Sequence, residues 1–120
     1  MNVVEARLGK RHLTYRGLQV NLDHKTVTIN GTPVNLTRTE FGLLCELLSA
    51  HGQVRSRQQL IDTVWDGVIV TDRTVDVHIT RLRRKLGPYS EYIANRPGFG
   101  YYFNENNSFQ EHKIDKKDMK

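Results

Sequence analysis

The stretch Asp72 to Leu86, DRTVDVHITRLRRKL, sets Val75, Ile79, Leu82 and Leu86 at i, i+4, i+7 and i+11, the spacing of one apolar stripe along an α-helix. That stripe has to lie on a core. At about 100° per residue, Arg73, Val77, Thr80, Arg81 and Arg84 fall on the far side, with Arg83 and Lys85 on the flanks. Five Lys or Arg stand against two Asp, and most of the positive charge gathers in the last turns. A helix with one oily and one basic face can lie along a polyanion. It can equally be a solvated helix whose last-turn cations suit the negative end of the dipole. The stretch alone leaves both readings open, and its surroundings decide.

Composition narrows the classes. A chain of 120 residues fits one domain with a core of its own, without disulfides or metals. A net charge of +5 and a pI near 9.6 justify a search for a nucleic-acid footprint. The single cysteine, Cys45, excludes an intrachain disulfide and fits a reducing, intracellular setting. Histidines at 12, 24, 51, 78 and 112 show no metal-ligand spacing with one another or with Cys45, so no metal or cofactor is expected. There is no Gly-rich phosphate loop followed by Lys-Ser/Thr and no paired acids or Cys/His set, so no enzyme is expected. No apolar run approaches the length of a membrane span, and MNVVEARLGKRHL lacks the apolar block of a signal peptide. The expectation is a cytoplasmic protein with no membrane partner.

Upstream of the basic helix, residues 1–11 carry no clear period and read as a linker or chain end. Leu18, Val20 and Leu22 then alternate with polar residues, Asp23-His24-Lys25 makes a turn, Val27 and Ile29 alternate again, and Asn30-Gly31 marks a hairpin. With Val34 and Leu36 after Pro33 and a first strand at Leu13 to Tyr15, this gives three or four short antiparallel strands with one apolar face. Thr37 with Glu40 is a capping box, and Phe41, Leu44, Cys45 and Leu48, widened by Leu47, form the stripe of a helix that Gly52 ends. Cys45 on that stripe reads as a small core hydrophobe. Val54 is placed in a short strand, and Ser56 with Gln59 caps a second helix with the stripe Leu60, Ile61, Val64 and Trp65. Between it and the basic helix lies DGVIVT, residues 66–71, whose Val68, Ile69 and Val70 form either a packed loop or an exposed contact surface, with core packing the default. Thr71 or Asp72 can cap the basic helix.

Downstream, Gly87-Pro88 stops the helix and the pattern returns to strand. Tyr92 and Ile93 lead into Asn95-Arg96-Pro97-Gly98, and Tyr101, Tyr102 and Phe103 lead out. Pro97-Gly98 suits the central pair of a type II turn, which places Arg96 at the tip of a hairpin. NENNSFQEHKIDKKDMK, from Asn104, is polar and aperiodic and is expected to be disordered. The domain therefore runs from 12 to 104, followed by a tail at 105–120.

In order, LTRTEFGLLCELL (36–48), VRSRQQLIDTVW (54–65), DRTVDVHITRLRRKLG (72–87) and GFGYYF (98–103) resemble the OmpR/PhoB-type effector domains of bacterial two-component response regulators. The resemblance covers residues 13 to 103. It implies an α+β fold, a winged helix-turn-helix with an N-terminal antiparallel sheet of three to four strands, three helices and a C-terminal hairpin wing. It also implies sequence-specific binding of double-stranded DNA by a transcriptional response regulator in a phosphorelay, with helix 72–86 in the major groove and wing 92–103 at the adjacent minor groove.

Arg73, Arg81, Arg83, Arg84 and His78 match positions where the family contacts phosphates or base edges; Thr74 and Thr80 match shorter polar contacts, and Val77 shares their exposed side. Thr80 departs from the Arg of many relatives, and Pro97 stands where relatives carry the minor-groove Arg, leaving Arg96 as its substitute. Asp66, Gly67, Val68, Ile69, Val70 and Thr71 correspond to a loop that can touch RNA polymerase. Further implied partners are a receiver domain outside this chain, its sensor kinase, and a second copy head-to-tail on direct-repeat half-sites. The alternative is a protein-interaction module that keeps the scaffold without reading DNA.

Overall fold

The computed structural model describes residues 5–7 and 11–105. Strands β1 (Glu5–Arg7), β2 (His12–Tyr15), β3 (Leu18–Asn21), β4 (Thr26–Ile29) and β5 (Thr32–Val34) form one antiparallel meander in chain order. Leu13 pairs with Val20 and Val20 with Val27, so the period-two pattern brings buried side chains from three strands onto one face. Asn21 Oδ1 accepts the backbone N–H groups of Asp23 and His24, which shapes the β3–β4 turn. The sheet thus has five strands where three or four are expected. The extra one lies in residues read as a linker, because β1 is fixed by pairing with β2, which no local period reveals.

Helices α1 (Arg38–Ser49) and α2 (Arg57–Val64) start at the expected capping boxes, with Thr37 and Ser56 as N-caps. Helix α3 (Asp72–Leu86) has Thr71 as N-cap, without a side-chain capping bond. Leu43, Leu44, Leu47 and Leu48 of α1 are fully buried, whereas Phe41 and Cys45 are only half-buried at the core's edge. The stripe is rotated from the expected one because α1 is wedged between α2, α3, β2 and the C-terminal hairpin, and because Glu40 also turns inward. Burial pushes the Cys45 thiol up to about 12, which suits an inert packing residue.

A 3₁₀ helix, Gly87–Tyr92, follows α3 before β6 (Ile93–Arg96) and β7 (Gly100–Phe103) make the hairpin. Pro97 and Gly98 form its turn, with Gly98 at φ +85° and Phe99 N–H donating to Arg96 O at 2.9 Å, as a type II turn requires. The strand expected at Val54 reduces to one bridge, Arg55 with Tyr101. That bridge needs glycine next door, since a Cβ on Gly100 would overlap the Arg55 carbonyl oxygen. Tyr15 packs edge-on against Tyr92 and Phe103 and donates its hydroxyl to Glu105 O, so the folded unit reaches Glu105, one residue past the expected boundary. The remainder of the tail, 106–120, lies outside the described residues. Among the described residues no helix is long and apolar enough to cross a membrane.

Candidate nucleic-acid interface

Helix α3 carries the surface in question. Val75, Ile79, Leu82 and Leu86 have no exposure at all, so the apolar stripe anchors the helix and fixes which side chains face outward. Arg73, Val77, Thr80, Arg81 and Arg84 are exposed, while Thr74, His78 and Arg83 are half-buried. Arg73, Arg81 and Arg84 make no hydrogen bond or ion pair among the described residues. Asp72 in the first turn and Arg83, Arg84 and Lys85 in the last complement the helix dipole.

The other cations of this region are committed. Arg57 Nε of α2 donates to Asp76 Oδ1 at 2.7 Å, and the Tyr101 hydroxyl of β7 donates to the same oxygen at 2.6 Å. The Arg57 and Arg83 guanidinium groups lie 5.2 and 5.7 Å from the Tyr101 ring centroid, within cation–π range. Arg83 Nε also donates to Ile93 O of β6 at 2.8 Å. Asp76 thereby joins α2, α3 and the wing in one latch. Burial by itself raises the Asp76 carboxyl, but the bonds from Tyr101 and Arg57 and the Arg57 charge carry it below its ordinary range. The Asp76 bond raises Arg57; burial, with that carboxylate, raises Tyr101.

Lys85 Nζ donates to Glu40 Oε1 at 2.8 Å, beside the capping bond from Thr37 N–H to the same oxygen. Burial raises this carboxyl, but the Lys85 and Thr37 bonds outweigh it and the Glu40 carboxyl ends below its ordinary value. A buried carboxylate left without such partners would be costly.

The polar candidates are partly used up inside the helix. Thr80 donates its hydroxyl to Asp76 O, leaving lone pairs that can only accept. His78 Nδ1 lies 2.8 Å from Thr74 O and must be the donor, since a carbonyl only accepts. In the neutral ring Nε2 is then an acceptor, and a phosphate contact needs the imidazolium. The same ring packs edge-on against Trp65, with centroids 5.3 Å apart.

The other expected residues sit away from this face. Arg96 is exposed at the end of β6, and its guanidinium has no polar partner among the described residues. In the loop 66–71 the default of core packing is overturned for two residues: Val68 is 59% and Ile69 97% exposed, and only Val70 packs against the core. The loop joins the end of α2 to the start of α3, and of its three apolar side chains only Val70 turns onto the core. Asp66, Gly67 and Thr71 are exposed beside them. Sequence reasoning missed the Asp76, Arg57 and Tyr101 latch. Its one local signal was an acid placed between Val75 and Val77 of a basic helix.

Comparison with known proteins agrees with this geometry. Residues 31–103 match the family described as "Transcriptional regulatory protein, C terminal". The transcriptional regulatory protein CseB of Streptomyces coelicolor is 47% identical over 90 residues, which cover 74% of this chain and 38% of that protein. The chain thus spans about two fifths of the length of such relatives. The DNA-binding domain of Klebsiella pneumoniae RstA, solved in complex with the RstA box, superposes with a TM-score of 0.71 at 31% identity, covering 78% of this chain and 97% of that one. The DNA-binding domain of the response regulator AdeR, in complex with an intercistronic region, gives 0.70 at 27% identity, covering 76% and 97%.

Proposed function

The chain belongs to the OmpR/PhoB-type DNA-binding domains of transcriptional regulatory proteins, and from that premise we propose that α3 enters the major groove of a specific duplex while the wing reaches the adjacent minor groove. The observation that carries this reading is the row of unpaired guanidinium groups, Arg73, Arg81 and Arg84, on the one face of α3 that the core leaves free. Arginine is suited to bidentate contact with guanine O6 and N7, and Arg81, between Arg73 and Arg84 along the helix, is assigned this role. Arg73 and Arg84 neutralise phosphates. Val77 offers methyl groups to thymine, Thr80 an acceptor to a base amine, and Thr74 and His78 shorter contacts at the half-buried edge. Arg83 serves the wing first and DNA only through its Nη groups. Arg96, next to the position where Pro97 replaces the wing Arg of relatives, is the cation that the wing turns toward DNA.

The exposed Val68 and Ile69 support a second contact, in which loop 66–71 touches RNA polymerase. The family also supports a cytoplasmic response regulator with a receiver domain, a sensor kinase and head-to-tail pairing on direct repeats. Titration of the 120-residue chain against a duplex selected from a random pool and a scrambled duplex tests the main reading. The selected duplex is bound more tightly, and affinity falls with salt by about 0.9 logarithmic unit per unit of log salt for each phosphate neutralised. Salt-insensitive binding, or equal affinity for both duplexes, would sink it.

A further inference from the structure

An open cleft of about 530 Å³ lies between the wing tip and the start of α2, lined by Val54, Ser56, Gln59, Arg96 and Phe99. Phe99 is 67% exposed, and nothing in the family match assigns it a role. The turn that carries it is closed by the Phe99 N–H to Arg96 O bond and stiffened by Pro97. Both side chains are therefore presented from a rigid frame. Ser56 and Gln59, on the opposite rim, are occupied in capping each other's backbone. What the cleft offers a partner is an apolar wall, Val54 and Phe99, beside one unpaired cation, Arg96.

That combination fits a sugar–phosphate strand, in which the apolar edge of a deoxyribose alternates with a single negative charge. The position fits as well. The wing is fastened along α3 by Arg83 and Tyr101 and to residue 55, just before α2, by the Tyr101 bridge. In a helix-turn-helix the helix ahead of the recognition helix crosses the backbone, so a duplex that receives α3 in one groove and the wing in the next carries the intervening strand past the start of α2 to the wing tip. We propose that this cleft holds that strand, with Phe99 and Val54 against a deoxyribose and the Arg96 guanidinium on the neighbouring phosphate. The proposal rests on the DNA-binding reading above and adds a contact that depends on backbone shape rather than base identity.

The test uses a fluorescein-labelled duplex selected from a random pool, with a single charge-removing methylphosphonate walked along each strand. At one position between the two grooves, the substitution is expected to weaken the wild-type chain several-fold and Arg96→Ala not at all. Arg96→Ala also lowers the salt slope by about 0.9. Phe99→Ala loses about tenfold in affinity, the scale of one partly buried apolar side chain, with the salt slope unchanged, and Phe99→Leu recovers most of it. Both residues are exposed, so thermal melts should match the wild type, and the walk on the wild-type chain reads the cleft without any substitution. Equal methylphosphonate costs for wild type and Arg96→Ala at every position, or wild-type affinity in Phe99→Ala, would overturn the proposal and leave the cleft to a protein partner. Failure of the wild-type chain to prefer the selected duplex would instead remove the reading beneath it.

Discussion

Two sets of cations share one small surface and have opposite fates. Arg73, Arg81 and Arg84 stand free on the outer face of α3, whereas Arg57, Arg83 and Lys85 are held by Asp76, the Ile93 carbonyl and Glu40. In sequence they are alike, and Arg83 and Arg84 are neighbours. The difference is whether an acceptor already answers the charge. A count of Lys and Arg on the helix therefore overstates what a polyanion can use. The committed set does other work: Arg57 and Arg83 tie α3 to α2 and the wing, and Lys85 ties it to α1, so that contacts in two grooves keep one spacing.

The adjacent pair separates the two sets most sharply. Arg83→Ala leaves the Ile93 carbonyl without its side-chain donor and removes one of the two cations at the Tyr101 ring, and should cost about 1–3 kcal/mol of stability. Arg84→Ala should change stability by less than about 0.5 kcal/mol. Urea unfolding of both variants measures this, and equal losses would erase the distinction between held and free arginines.

A smaller effect comes from acid. The Glu40 and Asp76 carboxyls are both depressed in the folded chain, so the unfolded chain binds protons more readily than the folded one. Their contributions are fully present above the ordinary values of 4.5 and 3.8 and are lost as pH falls through the depressed folded values. Melting temperatures taken from neutral pH down to the acid limit of the fold should drop below pH 4.5 in the wild type. Glu40→Gln should start lower and fall less steeply. Parallel curves would mean that the Glu40–Lys85 pair contributes nothing.

What the sequence made legible follows the same divide between local and distant causes. The bounds and buried stripe of α3, both capping boxes and the Pro97-Gly98 turn depend on residues a few positions apart, and each is found where the pattern puts it. Strand β1, the inward turn of Glu40 and the Asp76 latch depend on partners elsewhere in the chain, Lys85 being 45 residues from Glu40. Val68 and Ile69 teach the converse. Hydrophobic residues without a period have no common face to offer, and of this run only Val70 packs on the core. Within the site, the exposed arginines could be listed from the helical wheel, but which of the flanking ones were spent could not.

Whether the free face of α3 reads sequence is tested most directly by the affinity of Arg81→Ala for the selected and scrambled duplexes at one salt concentration. The expected loss is about 1–3 kcal/mol on the selected duplex, roughly fivefold to more than a hundredfold, with little change on the scrambled one. Arg84→Ala is the companion, weakening both duplexes alike. Equal losses on the two duplexes for Arg81→Ala would mean that this face does not read sequence.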